Sequence, residues 1–371
     1  MANPIPVTVF TSFDDDEVNR LVRRLRGDQD GQRVHAIVPR PSRKRLFTRA
    51  DPTMSFTNAR TKVLGKGCAC CTVRADLMTK IERVAKAGET DHIVLHAARS
   101  EDLVVLAKTF SVADRRGAVL SEVATLESLV VLVNPSSLQS SLNSAHARTY
   151  LDKLLMADLL VLNDEEGAEQ RDLEQARQIL AALNPAAKCI LASELHTEWK
   201  ELRGFTLETA QRRTELEGLF ENPSDTGTSS TQFVFEARTP FHPARLGDLI
   251  ERLAPMVLRA RGQFWVATRP DLIGRLDIGG GTIGLEVPGP WWSAVPTSEH
   301  PKGAEFREYL ESASVPPFGD RRQQIAVVGI GLRSEQLRAD FTHCLLTDEE
   351  LSDPDCWSSF SDPFDWPSAS S

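Results

Sequence analysis

A mostly parallel α/β sheet with helices on both faces, followed by a smaller α+β domain, is the architecture this sequence predicts. Two patterns predict it. Through the first 200 residues, short β-branched runs alternate with amphipathic helical stretches, and beyond a segment rich in Pro, Gly, Ser and Thr the strands crowd closer together. Length agrees, because 371 residues exceed what one hydrophobic core usually serves.

The strands of the first domain fall at residues 6–11, 33–38, 92–97, 128–134, 159–163 and 189–192. Helical spacing of apolar residues marks 15–26, 75–87 and 170–183 between them. Apolar strands alternating with helices imply a parallel sheet covered on both faces. The domain spans 1–200 and a linker follows over 201–231, its stretch 221–231 (ENPSDTGTSST) having the composition of a flexible connection. The second domain, 232–350, holds strands at 232–237, 263–268, 273–278, 282–287 and 324–329, with Gly279, Gly280 and Gly281 as a turn. Its helices cover 243–256, opened by a proline in the first turn, and 334–344, opened by a capping serine. A tail, 351–371, reads as loop whose aromatics Trp357, Phe360, Phe364 and Trp366 dock on the body.

Acidic residues outnumber basic ones, 52 to 43, for a net charge of -9, so no global attraction draws the chain to nucleic acid or an anionic membrane. Residues 1–10 lack the cationic start and long apolar core of a secretory signal, and no apolar run reaches the roughly 18–20 residues that span a bilayer. A cytoplasmic protein is the expectation.

The sharpest local signal is Gly67-Cys68-Ala69-Cys70-Cys71-Thr72-Val73-Arg74. Three thiols this close suit metal or redox chemistry better than a disulfide framework. Zn²⁺ accepts thiolates at about 2.3 Å and takes four ligands in all. For all three to converge on one ion the segment must break into a loop, which Gly67 permits. Burial as small hydrophobes, or a reversible disulfide between Cys68 and Cys71, are the alternatives.

This Cys-x-Cys-Cys with its Thr-Val-Arg sequel resembles the signature of the CobW-type metallochaperone G proteins. Pro6-Val7-Thr8-Val9 is similar to that family's first strand, and Ala157-Asp158-Leu159-Leu160-Val161-Leu162-Asn163 to its base-recognition strand. Phe241-His242-Pro243, Phe264-Trp265, Thr268-Arg269-Pro270-Asp271, Trp291-Trp292 and Phe318-Gly319-Asp320-Arg321-Arg322 resemble its C-terminal domain. The resemblance covers nearly the full length. It implies a P-loop-like first domain, a CobW-like C-terminal domain, zinc as the metal handled and a client protein as partner.

The nucleotide motifs depart from that pattern. A working P-loop, GxxxxGK[ST], cradles phosphate on backbone N–H groups and holds γ-phosphate and Mg²⁺ with its lysine and hydroxyl. Here the gapless register runs Ser12, Phe13, Asp14, Asp15, Asp16, Glu17, Val18, Asn19, with Ser12 and Glu17 at the glycines, Val18 at the lysine and Asn19 at the threonine. One carboxylate about 4 Å from a phosphate charge costs roughly 1 kcal/mol in water and about 4 at an effective dielectric of 20. Ordinary nucleotide affinity should therefore be lost unless a divalent ion bridges the acids and phosphate. The family's Glu-Thr-x-Gly switch becomes His96-Ala97-Ala98-Arg99, and its guanine-reading Asn-Lys-x-Asp becomes Asn163-Asp164-Glu165-Glu166. GTP is thus not an expected cofactor, and a pseudo-GTPase is the expectation.

The expected metal ligands are Cys68, Cys70, Cys71 and His96, since His96 ends a strand and functional groups in open α/β sheets gather at strand carboxyl ends. A boundary histidine satisfied by its neighbours is the alternative for His96. The basic run at residues 40–49, with Arg43, Lys44 and Arg45, reads either as a solvated loop or as a contact for RNA. Actinobacterial relatives with similarly eroded loops are associated with zinc starvation and ribosome hibernation, so the resemblance carries a zinc-responsive, ribosome-associated role as the alternative function. An active GTPase metallochaperone is the third.

Overall fold

The computed structural model describes residues 3–26, 33–37, 69–99, 101–111, 119–144, 146–164, 168–196, 198–215 and 230–364, without the side chains of 69–76, 230 and 231. The chain divides into two compact units, one formed by residues 1–141 and 146–214, the other by residues 142–145 and 215–371.

The first unit runs β1 (Ile5–Ser12), α1 (Asp15–Arg26), β2 (Val34–Ile37), α2 (Ala69–Ala87), β3 (His92–His96), α3 (Leu103–Ser111), β4 (Ala124–Val133), α4 (Pro135–Leu142), α5 (Ala147–Met156), β5 (Leu159–Leu162), α6 (Gln170–Leu183), β6 (Lys188–Leu191), α7 (Glu198–Glu201) and α8 (Leu207–Thr214). Its six strands lie in the order β2-β3-β1-β4-β5-β6, all parallel. The order reverses around β1, which makes the carboxyl ends of β1, β3 and β4 the place where such sheets bind ligands.

Both faces of the sheet are dry. Phe10, Val94, Val130 and Val161 pack against Val18, Leu21, Val22 and Leu25 of α1 and against Trp199. The alternate positions Val9, Ile93, Leu95, Leu129 and Val131 are buried on the opposite face. Polar side chains inside the sheet pair with one another: Thr8 Oγ1 meets Nε2 of His92 at 2.9 Å and Oγ of Ser128 at 3.0 Å, joining three strands.

The second unit runs β7 (Ser230–Ala237), α9 (Pro243–Leu253), β8 (Val257–Phe264), β9 (Gly274–Gly279), β10 (Thr282–Glu286), α10 (Ala304–Ala313), β11 (Gln323–Ile330), α11 (Ser334–Cys344) and α12 (Asp348–Ser352). The strands form an antiparallel sheet, β10-β9-β8-β11-β7. Phe233, Phe235, Phe264, Leu276, Ile325 and Val327 share a core with Leu246 and Ile250 of α9 and Phe341 of α11. Gly280 and Gly281, at φ 60° and 71°, make the tight turn between β9 and β10, a conformation that L side chains resist.

Several expectations shift here. Helix α9 stops at Leu253 and β8 starts at Val257, so the strand expected at 263–268 lies mostly earlier. Arg259 and Arg261 disguised it; Arg259 is fully buried, and its guanidinium meets Asp277 of β9 at 3.2 Å. Helix α10 was not expected at all. The tail is not plain loop, since α12 and a 3₁₀ stretch, Pro354–Ser359, hold its aromatics. Phe360 lies 4.6 Å from the His242 ring, Phe364 5.9 Å from Phe264 and Trp357 6.4 Å from Trp265, while Trp366 falls outside the described residues.

Candidate functional site

At the carboxyl end of β1 only Phe13 and Asp14 separate strand from helix. The acidic run is a helix start. Asp14 Oδ1 accepts the Asp16 amide at 2.9 Å, a side-chain N-cap, and Asp15, Asp16 and Glu17 complement the helix dipole in the first turn. Amides that would cradle a phosphate are thereby occupied from within the chain. Val18, in the register of the P-loop lysine, points into the core with no exposed surface.

Glu17 corrects the picture of four acids lining an open phosphate site, because its side chain turns inward and is 4% exposed. Its Oε2 accepts the Ser12 hydroxyl at 3.0 Å, and its Oε1 accepts the amides of Asn134 at 3.0 Å and Asn163 at 3.3 Å. These donors follow or end β1, β4 and β5, so one carboxylate ties three strand ends together. Asn163, which stands where the family's base-reading motif has its asparagine, is among those tied. Asp164, in place of the base-covering lysine, accepts the Ser193 amide at 2.9 Å and also its hydroxyl, bridging the ends of β5 and β6. A cavity of about 20 Å³ lined by Glu17, Arg20, Leu132, Val161 and Asn163 remains there. That is room for a single water, against the roughly 300–1,000 Å³ of ordinary ligand pockets.

His96 closes β3 beside Phe10 of β1 and is 2% exposed. Among the described residues neither ring nitrogen has a hydrogen-bond partner, and Nε2 stands 3.5 Å from Asp15 Oδ1. The same Oδ1 accepts the Arg99 amide at 2.7 Å. Burial alone would raise the Asp15 carboxyl, but His96 and the Arg99 amide outweigh it and hold the group below its ordinary value. Lys153 of α5, 2% exposed, reaches the same edge from the opposite face of the sheet. Its ammonium donates to Thr11 Oγ1 at 3.0 Å and to the Ala98 carbonyl at 2.8 Å. Burial pushes Lys153 down to about 8, against the pull of Asp15, Glu101 and Asp102. Glu101 is pushed up to about 8, again by burial, with Lys153 opposing. His92 sits further back, bonded to Thr8, and burial lowers it to about 4.

Helix α2 begins six residues before the expected start, so Cys70 and Cys71 lie in its first turn where a loop was expected. Their side chains, Cys68 and the basic run at 40–49 lie outside the described residues. Among the described residues no three His, Cys, Asp or Glu side chains cluster as a metal site, and no helix is long and apolar enough to cross a membrane. Sequence reasoning missed Lys153, Asn134 and Glu101. A lysine inside the otherwise apolar face Tyr150, Leu151, Leu154, Leu155 was the one available signal.

A parallel sheet with this strand order and a ligand edge of this kind, followed by an antiparallel α+β unit, defines a two-domain protein built on a P-loop-like fold. The chain belongs to the CobW family: residues 44–191 match the CobW/HypB/UreG nucleotide-binding domain and residues 230–345 the cobalamin synthesis protein cobW C-terminal domain. It is similar to a zinc chaperone of Mycobacterium tuberculosis, at 28% identity over 99% of this chain and 94% of that one. A zinc-regulated GTPase metalloprotein activator 1 of Dictyostelium discoideum is 24% identical over 97% of this chain and 84% of its own. Among solved structures, the Zn(II)-bound YjiA GTPase of E. coli aligns over 93% of this chain and 100% of its own, at 16% identity and a TM-score of 0.38.

Two predictions follow from the buried carboxylates. Glu17→Ala should destabilise the first unit by about 1–3 kcal/mol in urea unfolding, because three donors lose a shared acceptor. An unchanged midpoint would mean that Glu17 anchors nothing. Glu101, raised to about 8 from 4.5, binds its proton more tightly folded than unfolded. Its contribution is therefore complete below pH 4.5 and is lost as pH rises towards 8. Glu101→Gln should flatten the fall in melting temperature across that window by the equivalent of roughly 1–2 kcal/mol. Lys153 contributes a slope of opposite sign only above about pH 8.

Proposed function

We propose that this chain is a zinc-handling member of the CobW family that works without nucleotide, carrying zinc as cargo on Cys68, Cys70 and Cys71 with His96 as nitrogen ligand and docking to a client protein. The observation that carries the nucleotide-free half is Glu17, whose carboxylate occupies the strand ends where a phosphate and base would have to enter. The match to the family's nucleotide-binding domain begins at residue 44, beyond the β1–α1 turn altogether. Capped helix amides, a buried Val18 and a cavity of about 20 Å³ agree with it.

The zinc half rests on chemistry and kinship. Three thiols in four residues form a donor set that suits Zn²⁺, and the relatives in M. tuberculosis and D. discoideum bear zinc in their names. His96 fits as a further ligand because among the described residues neither buried nitrogen has a hydrogen-bond partner, the Asp15 carboxylate standing 3.5 Å from Nε2, and an unsatisfied buried nitrogen costs about 1–3 kcal/mol unless something binds there. Thiolate binding to zinc needs no GTP, only deprotonation.

Calorimetry with GTP and Mg²⁺ should register no binding. Micromolar affinity would end the nucleotide-free reading. Val18→Lys should not create affinity either, since the new ammonium would be buried in the core and would unfold the first unit sooner than bind phosphate.

The purified chain should take up one Zn²⁺, more tightly as pH rises through the thiol range, with release of protons. Zinc should shield two or three thiols from alkylation, and none once Cys68, Cys70 and Cys71 are all replaced by serine. Protection that appears only on oxidation, with zinc inert, would instead make the segment a redox pair.

A further inference from the structure

The loop after β3 has the position of a nucleotide switch, and one peptide group in it is gripped from both ends. Ala98 and Arg99 share that peptide. Its N–H donates to the Asp15 carboxylate at 2.7 Å, and its C=O accepts the Lys153 ammonium at 2.8 Å. The same ammonium holds Thr11 at the end of β1, and the neighbouring Ala97 amide donates to the Phe10 carbonyl at 2.8 Å. The Ala98 carbonyl also takes the Glu101 amide at 2.9 Å, closing the turn into α3.

In nucleotide-driven switches the corresponding loop is ordered by the terminal phosphate and its Mg²⁺, an anion and a cation acting together, and it is released when they leave. This chain brings an anion and a cation of its own to the same edge. Asp15 comes from the first turn of α1, above the strand that would lead into the phosphate loop, and Lys153 from the far side of the sheet. Both are charge-assisted contacts, and Lys153 is almost wholly withdrawn from water, where such bonds are strongest.

We infer that Asp15 and Lys153 are a built-in substitute for the terminal phosphate and its counter-cation, holding the loop at residues 97–99 in one arrangement that no nucleotide sets or releases. The inference rests on the nucleotide-free reading above. The loop is then a fixed surface, and any client that reads it meets it in the same state at every GTP concentration.

Hydrogen exchange over residues 97–99 tests this on the full-length chain. The wild type should exchange slowly there, at a rate that GTP with Mg²⁺ does not alter. Asp15→Ala should speed exchange in this segment by about tenfold or more, the loss expected for a hydrogen bond to a charged group, and leave β1 and β4 protected. Asp14 still caps α1 in that variant, so the fold is retained. Lys153→Met, similar in length but uncharged, should loosen the same segment; melting curves show whether it folds, and Asp15→Ala decides alone if it does not. Wild-type exchange in Asp15→Ala, with GTP also inert, would overturn the clamp and leave the nucleotide-free reading standing. Slowing of wild-type exchange by GTP would instead overturn the nucleotide-free reading.

Discussion

The turn that joins β1 to α1 constrains everything built around it. Only two residues lie between strand and helix, and Asp14 satisfies the first helix amides, that of Asp16 with its carboxylate and that of Glu17 with its carbonyl. The short turn also draws the first residues of α1 down onto the sheet edge. Glu17 lands within reach of Ser12, Asn134 and Asn163, and Asp15 within reach of Arg99. Had the helix begun several residues later, as a P-loop requires, neither carboxylate could make these contacts. The short turn and these internal contacts are one geometric event.

That event gathers charge in a place poor in water. Glu17 and Lys153 are both nearly sealed, with Asp15 half-buried beside them. A buried charge is tolerable only when its bonds are made, and these are made to hydroxyls, amides and a carbonyl at the strand ends rather than to one another. Such contacts have defined direction and hold their partners in register, which a direct ion pair between flexible side chains would do less well. His96 is the exception on this edge: among the described residues its ring nitrogens meet only the Asp15 carboxylate, 3.5 Å from Nε2.

Much of the fold was legible because periodicity reports it. Helices α1, α6 and α11 begin and end where apolar spacing and end signals place them, and the six parallel strands follow their β-branched runs. Strand β8 was obscured because Arg259 and Arg261 look solvent-facing until a partner such as Asp277 is known. Of the site, the departure of this stretch from the family's nucleotide motifs could be read residue by residue, and so could the position of His96 at a strand end. What could not be read is contact across distance: Glu17 with Asn134 and Asn163, or Lys153 with Thr11. Those pairs are 117, 146 and 142 residues apart, and local pattern carries no trace of them.

Glu17 also changes what the stability of the first unit depends on. A fold that needs a diffusible ligand gains stability by mass action, about 4.1 kcal/mol when the ligand stands at a thousand times its dissociation constant and nothing when it is absent. A carboxylate carried on the chain has no such concentration dependence; its local concentration is set by the helix to which it is attached. The three strand ends that Glu17 joins are therefore held by a group whose supply does not vary.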